Sequence, residues 1–222
     1  MDVRKLLIFH GLSEEELEKS LHCTQSVILE FQKNAYIFHQ EDTPKRLYFV
    51  LEGEVEVGSV NPFGKLARIE LLKEGEGFGE IEMFLHHLEY NCYAKAGKRA
   101  KVLAVAQDFF CGRCERNCVH HGKVVFNMLE VFAKKADKNN RQIELLTIGN
   151  LRQRVAAYLL EASRGGTGIK LDMNREELAA YLNTTRPSLS RMLLQMQDEG
   201  ILELPSRNRI RILDAERLQE IL

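Results

Sequence analysis

The run Leu182-Asn183-Thr184-Thr185-Arg186-Pro187-Ser188-Leu189-Ser190-Arg191 decides the fold, together with Asn174-Arg175-Glu176-Glu177-Leu178-Ala179-Ala180-Tyr181 ahead of it. Leu178, Ala179 and Leu182 fall at i, i+1 and i+4, the narrow apolar stripe of a short helix. Ala179 is small enough for a second helix to cross closely over it. Asn183, Thr184 and Thr185 carry turn and N-cap chemistry, and Pro187 fits the first turn of the next helix, where its missing N–H costs nothing. That helix sets Leu189, Met192, Leu193 and Met196 on one face and Arg186, Ser188, Ser190, Arg191 and Gln195 on another. A polar face of Arg, Ser and Gln led by a helix N-terminus suits base edges and phosphates in a DNA major groove. On these residues alone, a helical hairpin with a solvated face accounts for the pattern equally well.

At 222 residues the chain has room for one large or two small domains with real cores. No apolar run reaches spanning length and the N-terminus lacks the regions of a signal peptide, so the expected location is the cytoplasm, with no membrane partner. In that compartment five cysteines argue against a disulfide framework and leave packing, metal binding or redox chemistry open. A net charge of −1 gives no whole-chain nucleic-acid signature, and residues 150–222 are near neutral too, with 11 Lys and Arg against 10 Asp and Glu. Placement matters more: Arg186, Arg191, Arg207, Arg209 and Arg211 gather in one part of the chain.

Along the chain, residues 13–21 read as a helix with Ser13 and Glu16 as a capping box. Short β-branched or aromatic runs follow at 27–31, 35–38, 47–51, 55–57, 67–72, 90–94 and 100–105, separated by turn signals such as Asn61-Pro62-Phe63-Gly64 and Glu74-Gly75-Glu76-Gly77. With no crossover-length helices between them, and one short helix at about 81–84, these strands imply an antiparallel sandwich or barrel. From Asp108 to Leu160 the pattern is helical. Val125, Leu129, Phe132, Ala136, Asn139, Ile143 and Leu146 keep 4-3-4-3-4-3 spacing, a coiled-coil seam with a polar residue to fix register, and a homodimer is its expected use. Gly149-Asn150 breaks the helix and serves as a hinge. The expected domains are therefore 1–122, 123–149 and 150–222. After the hinge come one more amphipathic helix, a short strand at 169–171, the opening helix pair, and a hairpin of 201–204 with 209–213, which is a winged-helix arrangement. Its arginines would contact phosphates.

A β-roll, a long dimer helix, a hinge and a winged helix in this order resemble the CRP/FNR family of bacterial transcription regulators. Four stretches carry the resemblance: Leu47-Tyr48-Phe49-Val50-Leu51-Glu52-Gly53-Glu54-Val55, Gly77-Phe78-Gly79-Glu80-Ile81, Asn174 to Ala179, and Arg186 to Arg191 with Glu199-Gly200-Ile201. It implies an α+β chain: an antiparallel β-roll of the double-stranded β-helix or jelly-roll type, a long dimerisation helix and a C-terminal winged helix-turn-helix. In cyclic-nucleotide-binding relatives, Phe78, Gly79 and Glu80 would open the phosphate cassette, with Glu80 on the ribose hydroxyl and Asn139 and Asn140 near the base. Where those relatives carry an Arg-Ser or Arg-Thr pair, this chain has Tyr90 and Asn91, a poor set for a phosphodiester. Cyclic AMP is therefore disfavoured, and the pocket is expected to bind another small molecule or to be filled. Arg186, Ser190 and Arg191 fall where relatives contact operator DNA, with Ser188 a third reader. Pro187 stands where many carry a base-reading glutamate. Arg175, Arg207 and Arg209 complete the expected DNA-binding set.

Cys111, Cys114, Cys118 and His120, in a C-x2-C-x3-C-x-H-H run that Cys23 could join, form the sharpest unexplained cluster. Oxygen-sensing members of the family ligate an iron–sulfur cluster with four cysteines, though three of theirs group near the N-terminus. Core packing stands against this, because 111, 114 and 118 are spaced as one helix face, and thiol redox chemistry is the third reading. Cys92 reads as core. His86 and His87 read as a surface loop, with haem ligation ranked behind the other metals. The expectation is a dimeric, non-enzymatic DNA-binding regulator of a near-palindromic operator, partnered by itself and RNA polymerase, answering a signal other than cyclic AMP. The alternative is a cyclic-nucleotide- or small-molecule-binding module without DNA regulation.

Overall fold

A computed structural model describes residues 2–60, 66–111, 118–171 and 173–222; the turn expected at 61–64 lies outside them. The chain forms two compact units, Met1–Phe132 and Ala133–Leu222. Among the described residues no helix is long and apolar enough to cross a membrane.

The first unit opens with two 3-10 turns, Val3–Lys5 and Leu7–Phe9, then α1, Glu14–Cys23. Both halves of the expected capping box form: the Ser13 N–H donates to Glu16 and the Glu16 N–H to the Ser13 hydroxyl. The strands are β1 (Val27–Phe31), β2 (Tyr36–Phe38), β3 (Arg46–Glu52), β4 (Val55–Val60), β5 (Leu66–Leu72), β6 (Gly77–Phe78), β7 (Tyr93–Ala96) and β8 (Ala100–Ala106). They make two four-stranded sheets, β1-β8-β3-β6 and β2-β7-β4-β5, and every pairing is antiparallel. A short helix α2, Glu80–Phe84, follows β6, and α3, Asp108–Cys111, follows β8.

The uninterrupted apolar run of β3 has a simple cause: both faces of the strand are buried. Leu47, Phe49 and Leu51 join Leu103 and Val105 of β8 in a core closed by Ile8, Phe9, Val124 and Met128. Tyr48 and Val50 join Val102 and Ala104 in the roll interior with Phe38, Phe78 and Tyr90. At the β3–β4 turn, Gly53 has φ +85° and a Cβ there would lie 2.1 Å from the Arg99 carbonyl oxygen, so only glycine fits.

The long helix α4 spans Val119–Thr147. Its first turns cover the β3 core, and buried Asn127 donates to the carbonyls of Ile8 and His10, 3.1 and 2.8 Å away, holding the N-terminal turns in place. The seam read from spacing needs a correction in phase. Val125 and Phe132 pack on the first unit's core, Phe132 edge-on to Phe84, because this helix must also cover the roll. What remains exposed is Phe126 (69%), Leu129 (59%), Ile143 (59%), Leu146, Ala136 and Asn139.

In the second unit, α4 ends at Thr147 and Asn150 caps α5, Leu151–Ser163, through a capping box with Gln153. Then come β9 (Gly168–Lys170), α6 (Arg175–Tyr181), α7 (Arg186–Asp198), β10 (Leu202–Ser206), β11 (Arg209–Ile212) and α8 (Ala215–Gln219). The strands form one sheet, β10-β11-β9. Leu159, Leu178, Leu182, Leu189, Leu193, Met196, Ile210 and Leu218 fill its core. We expect Gly53→Ala to cost about 2 kcal/mol or more in the unfolding of the first unit, from the strained φ and the carbonyl clash together. Denaturant titration followed by circular dichroism measures it.

Candidate functional site

The opening helix pair forms as read. Asn174 caps α6 through a capping box with Glu177, Asn183 takes a positive φ of 49° in the turn, and the Thr185 hydroxyl accepts the Ser188 N–H to start α7. Leu189, Leu193 and Met196 are buried, which turns Arg186, Ser190, Arg191 and Gln195 away from the core. Ser188 is half-buried, and its hydroxyl accepts from Thr185 at 2.9 Å. Arg186 lies 3.7 Å from Glu176, a loose and exposed pair. Arg191, Arg207 and Arg209 are exposed and have no ion-pair partner among the described residues. Arg211 is tied to Glu203 across the wing at 2.8 Å. Arg175 differs from the rest of the expected set: it is half-buried, its Nη1 is enclosed without a partner among the described residues, and burial pushes its pKa down.

Another arginine locks the module. Arg152 of α5 grips Glu199, at the end of α7, with both guanidinium nitrogens, and holds its carboxyl down at about 2; Gln195 also donates to it. This pair fixes the helix whose exposed face carries Arg186 and Arg191.

In the roll, Phe78, Gly79, Glu80 and Tyr90 come together. Gly79 precedes α2 with φ +80°, and a Cβ there would meet Tyr48, the Arg46 carbonyl and the Tyr90 hydroxyl at 3.2–3.4 Å. Tyr90 is 2% exposed, stacks on Phe38 at 3.8 Å, donates to the Arg46 carbonyl at 3.0 Å, and has its ionisation pushed far up by burial. The sequence places a strand over 90–94, but β7 starts at Tyr93, and Tyr90 instead exchanges backbone hydrogen bonds with Glu41 and Asp42. Asn91 is exposed, beside His87 at 3.4 Å, and His86 is exposed on the same loop. Glu80 and Glu82 are buried. Asn139 and Asn140 are exposed on the part of α4 within the second unit.

Cys23, Cys118 and His120 meet, with one ligand atom from each lying within 4.8 Å of the others. Cys23 ends α1, Cys118 sits just before α4 and His120 lies in its first turn. The helical face read through 111–118 lies mostly outside the described residues; Cys118 itself is placed just ahead of α4. The Cys111 side chain and Cys114 lie outside the described residues. His120 is 4% exposed, its Nε2 has no hydrogen-bond partner among the described residues, and burial lowers its pKa. A cleft of about 530 Å³ adjoins the three, lined also by Glu15, Glu18, Lys19 and His22. Sequence reading missed these four, although 15, 18, 19, 22 and 23 mark one face of α1. Cys92 is half-buried at the edge of the roll interior, 3.9 Å from Glu82.

An antiparallel β-roll followed by a long helix and a winged helix-turn-helix is the architecture of a DNA-binding regulator. Comparison with known proteins bears on this directly. Residues 28–117 match the cyclic nucleotide-binding domain family and residues 153–221 the Crp-like helix-turn-helix domain family. The chain is 29% identical over 214 residues to the cyclic AMP receptor protein of Thermus thermophilus, covering 96% of this chain and 95% of that one. The crystal structure of Thermus thermophilus catabolite activator protein superimposes with a TM-score of 0.52 at 27% identity, covering 97% of each chain. A CooA variant from Carboxydothermus hydrogenoformans shares the fold at a TM-score of 0.65 and 20% identity, over 94% of this chain and 96% of that one. The chain belongs to the CRP/FNR family of transcription regulators.

Glu199 gives the second unit a defined acid response. Its carboxyl ionises at about 2 when folded against an ordinary 4.5, so its contribution is complete above about 4.5 and is lost as pH falls toward 2. Arg152→Met is expected to flatten the fall in melting temperature across that window, read by thermal unfolding at a series of pH values.

Proposed function

We propose that this CRP/FNR-type regulator binds operator DNA as a homodimer and answers a signal other than cyclic AMP. The observation that carries the DNA reading is the division of α7 into a face buried on the module core and a face bearing Arg186, Ser190 and Arg191. Arg191 and Arg186 are the candidates for bidentate contact to guanine, and Ser188 and Ser190 for further groove contacts. Arg207 and Arg209 on the wing fit phosphates, and Arg175 would join them only by swinging out of its half-buried position. The exposed stripe of Leu129, Ala136, Asn139, Ile143 and Leu146 on α4, with Phe126 beside it, supports self-association through this helix. Two-fold symmetry would then set the recognition helices one DNA turn apart, about 34 Å. RNA polymerase is the further partner on this reading.

The case against cyclic AMP rests on Tyr90 and Asn91. A cyclic phosphate calls for a cation or converging N–H donors, whereas the phenol of Tyr90 is already spent on the Arg46 carbonyl and Asn91 faces outward. The Thermus relative's name refers to cyclic AMP; this chain's Tyr90 argues for a different input.

Two measurements test the reading. Footprint selection followed by binding titration should give, for Arg191→Ala, a loss of about 1–3 kcal/mol with relaxed sequence preference. Arg209→Ala should instead weaken all sequences alike and lower the salt slope by about one. A dimer that binds no genomic fragment at low salt would defeat the reading. Calorimetry with cyclic AMP should give no heat, and a one-to-one isotherm would reverse the assignment of its input.

A further inference from the structure

We propose that Cys23, Cys118 and His120 bind a single thiophilic divalent ion of the zinc class, which joins the end of α1 to the start of α4. The donor set is two sulfurs and one imidazole, all within 4.8 Å of one another. Tetrahedral zinc, with Zn–S of about 2.3 Å and Zn–N of about 2.0–2.1 Å, needs its ligand atoms about 3.5–4 Å apart, so small side-chain adjustments close the site. A four-iron cluster needs its ligand sulfurs spread across a cube, farther apart than two bonds to one ion allow, and draws on four cysteines. The described residues bring only two together here.

The second, independent observation is His120. Its ring is buried and Nε2 has no hydrogen-bond partner among the described residues. A buried ring nitrogen without a partner is costly, and in the tautomer protonated at Nδ1 it offers a lone pair that a metal ion would take up. The cleft beside the three side chains supplies an entry path and leaves the fourth corner of the tetrahedron to water. Both thiols must lose their protons, so each ion taken up releases two protons to solvent and no electron moves.

The position gives the ion a mechanical role. α1 is already tied to α4 by Lys123, whose ammonium contacts both oxygens of Glu16 at 2.7 and 2.9 Å. A metal one turn away would add a second tie at the root of the long helix. This inference concerns metal binding and stands independently of the DNA-binding reading.

The test uses the full chain, purified anaerobically under reducing conditions, stripped with chelator and titrated with Co²⁺ and then Zn²⁺. One Co²⁺ per chain is expected, with near-ultraviolet thiolate charge-transfer bands and visible bands of tetrahedral type that Zn²⁺ abolishes. About two protons should be released per ion, and Zn²⁺ should raise the melting temperature. Cys23→Ser, Cys118→Ser and His120→Ala should each weaken uptake at least about 10-fold, while Cys92→Ser leaves it unchanged. Circular dichroism of each variant separates loss of the site from loss of fold. Absence of thiolate bands in the folded wild type, iron with inorganic sulfide in the anaerobic protein, or a Cys23–Cys118 disulfide in the reduced preparation would each overturn the proposal.

Discussion

The burial of β3 on both faces is the constraint on which the first unit depends. Successive side chains of a strand point to opposite sides, so Leu47, Phe49 and Leu51 commit one face to the helical core while Tyr48 and Val50 commit the other to the roll interior. β8 repeats the arrangement with Leu103 and Val105 against Val102 and Ala104, and the two strands pair Leu47 with Val105 and Phe49 with Leu103. A slip of one residue would turn the Tyr48 phenol into the helical core and Phe49 into the roll. β3 also supplies the Arg46 carbonyl that receives Tyr90 and the ring that lies over Gly79. On its other side, the core it founds carries Leu17, Leu21 and Cys23 of α1 and Val124 and Met128 of α4. The meeting of Cys23 with His120 is thus a consequence of two helices sharing one strand's underside.

What the sequence disclosed follows from how local each signal is. The capping box at Ser13, the N-cap chemistry at Thr185 and the hairpin of 201–204 with 209–213 are each written within a few residues, and they appear in the structure as read. β9 falls where a strand was expected, yet nothing at 168–170 announces that it pairs with β11 and completes the wing sheet. The seam was right in period and partly wrong in phase. A heptad reading assumes that a helix has one partner, whereas α4 spends Val125 and Phe132 on the roll before Leu129 and Ile143 are left for another surface. The N-terminal turns escaped notice because Leu6, Ile8 and Phe9 lack either periodicity, although a dense apolar run was there to be seen. Cys23 and Cys118 could be nominated from residue type, but their approach crosses the whole roll and no spacing rule reaches that far.

The arginines of the second unit show why placement outweighs net charge. Arg141 pairs with Asp137 and Glu161, Arg152 with Glu199, Arg211 with Glu203, and Arg154 donates to the carbonyls of Ile148, Gly149 and Leu182. Each would have to surrender a carboxylate or carbonyl before meeting a phosphate, and that exchange cancels much of the gain. Arg191, Arg207 and Arg209 surrender only water. Arg186 stands between the groups, since its pair with Glu176 at 3.7 Å is long and largely exposed. A near-neutral domain can thus leave some cations available to DNA because several of its others are internally committed.

The roll interior follows the opposite logic. Phe38, Tyr48, Phe78 and Tyr90 pack as neighbours, with Phe38 and Tyr90 face to face, and the Tyr90 hydroxyl is satisfied by the Arg46 carbonyl of the strand beneath. Replacing Tyr90 by a guanidinium would bury a charge among aromatic rings with no counter-ion, at a cost that only a bound anion offsets. A phosphate-binding roll therefore has a core that is incomplete until its ligand arrives. Here Tyr90 places a neutral ring in the roll interior, and burial keeps the ring neutral. Such an interior is suited to hold β3 and β8 in register, while β3's other face carries α1 and the root of α4, where two thiols and a buried imidazole converge.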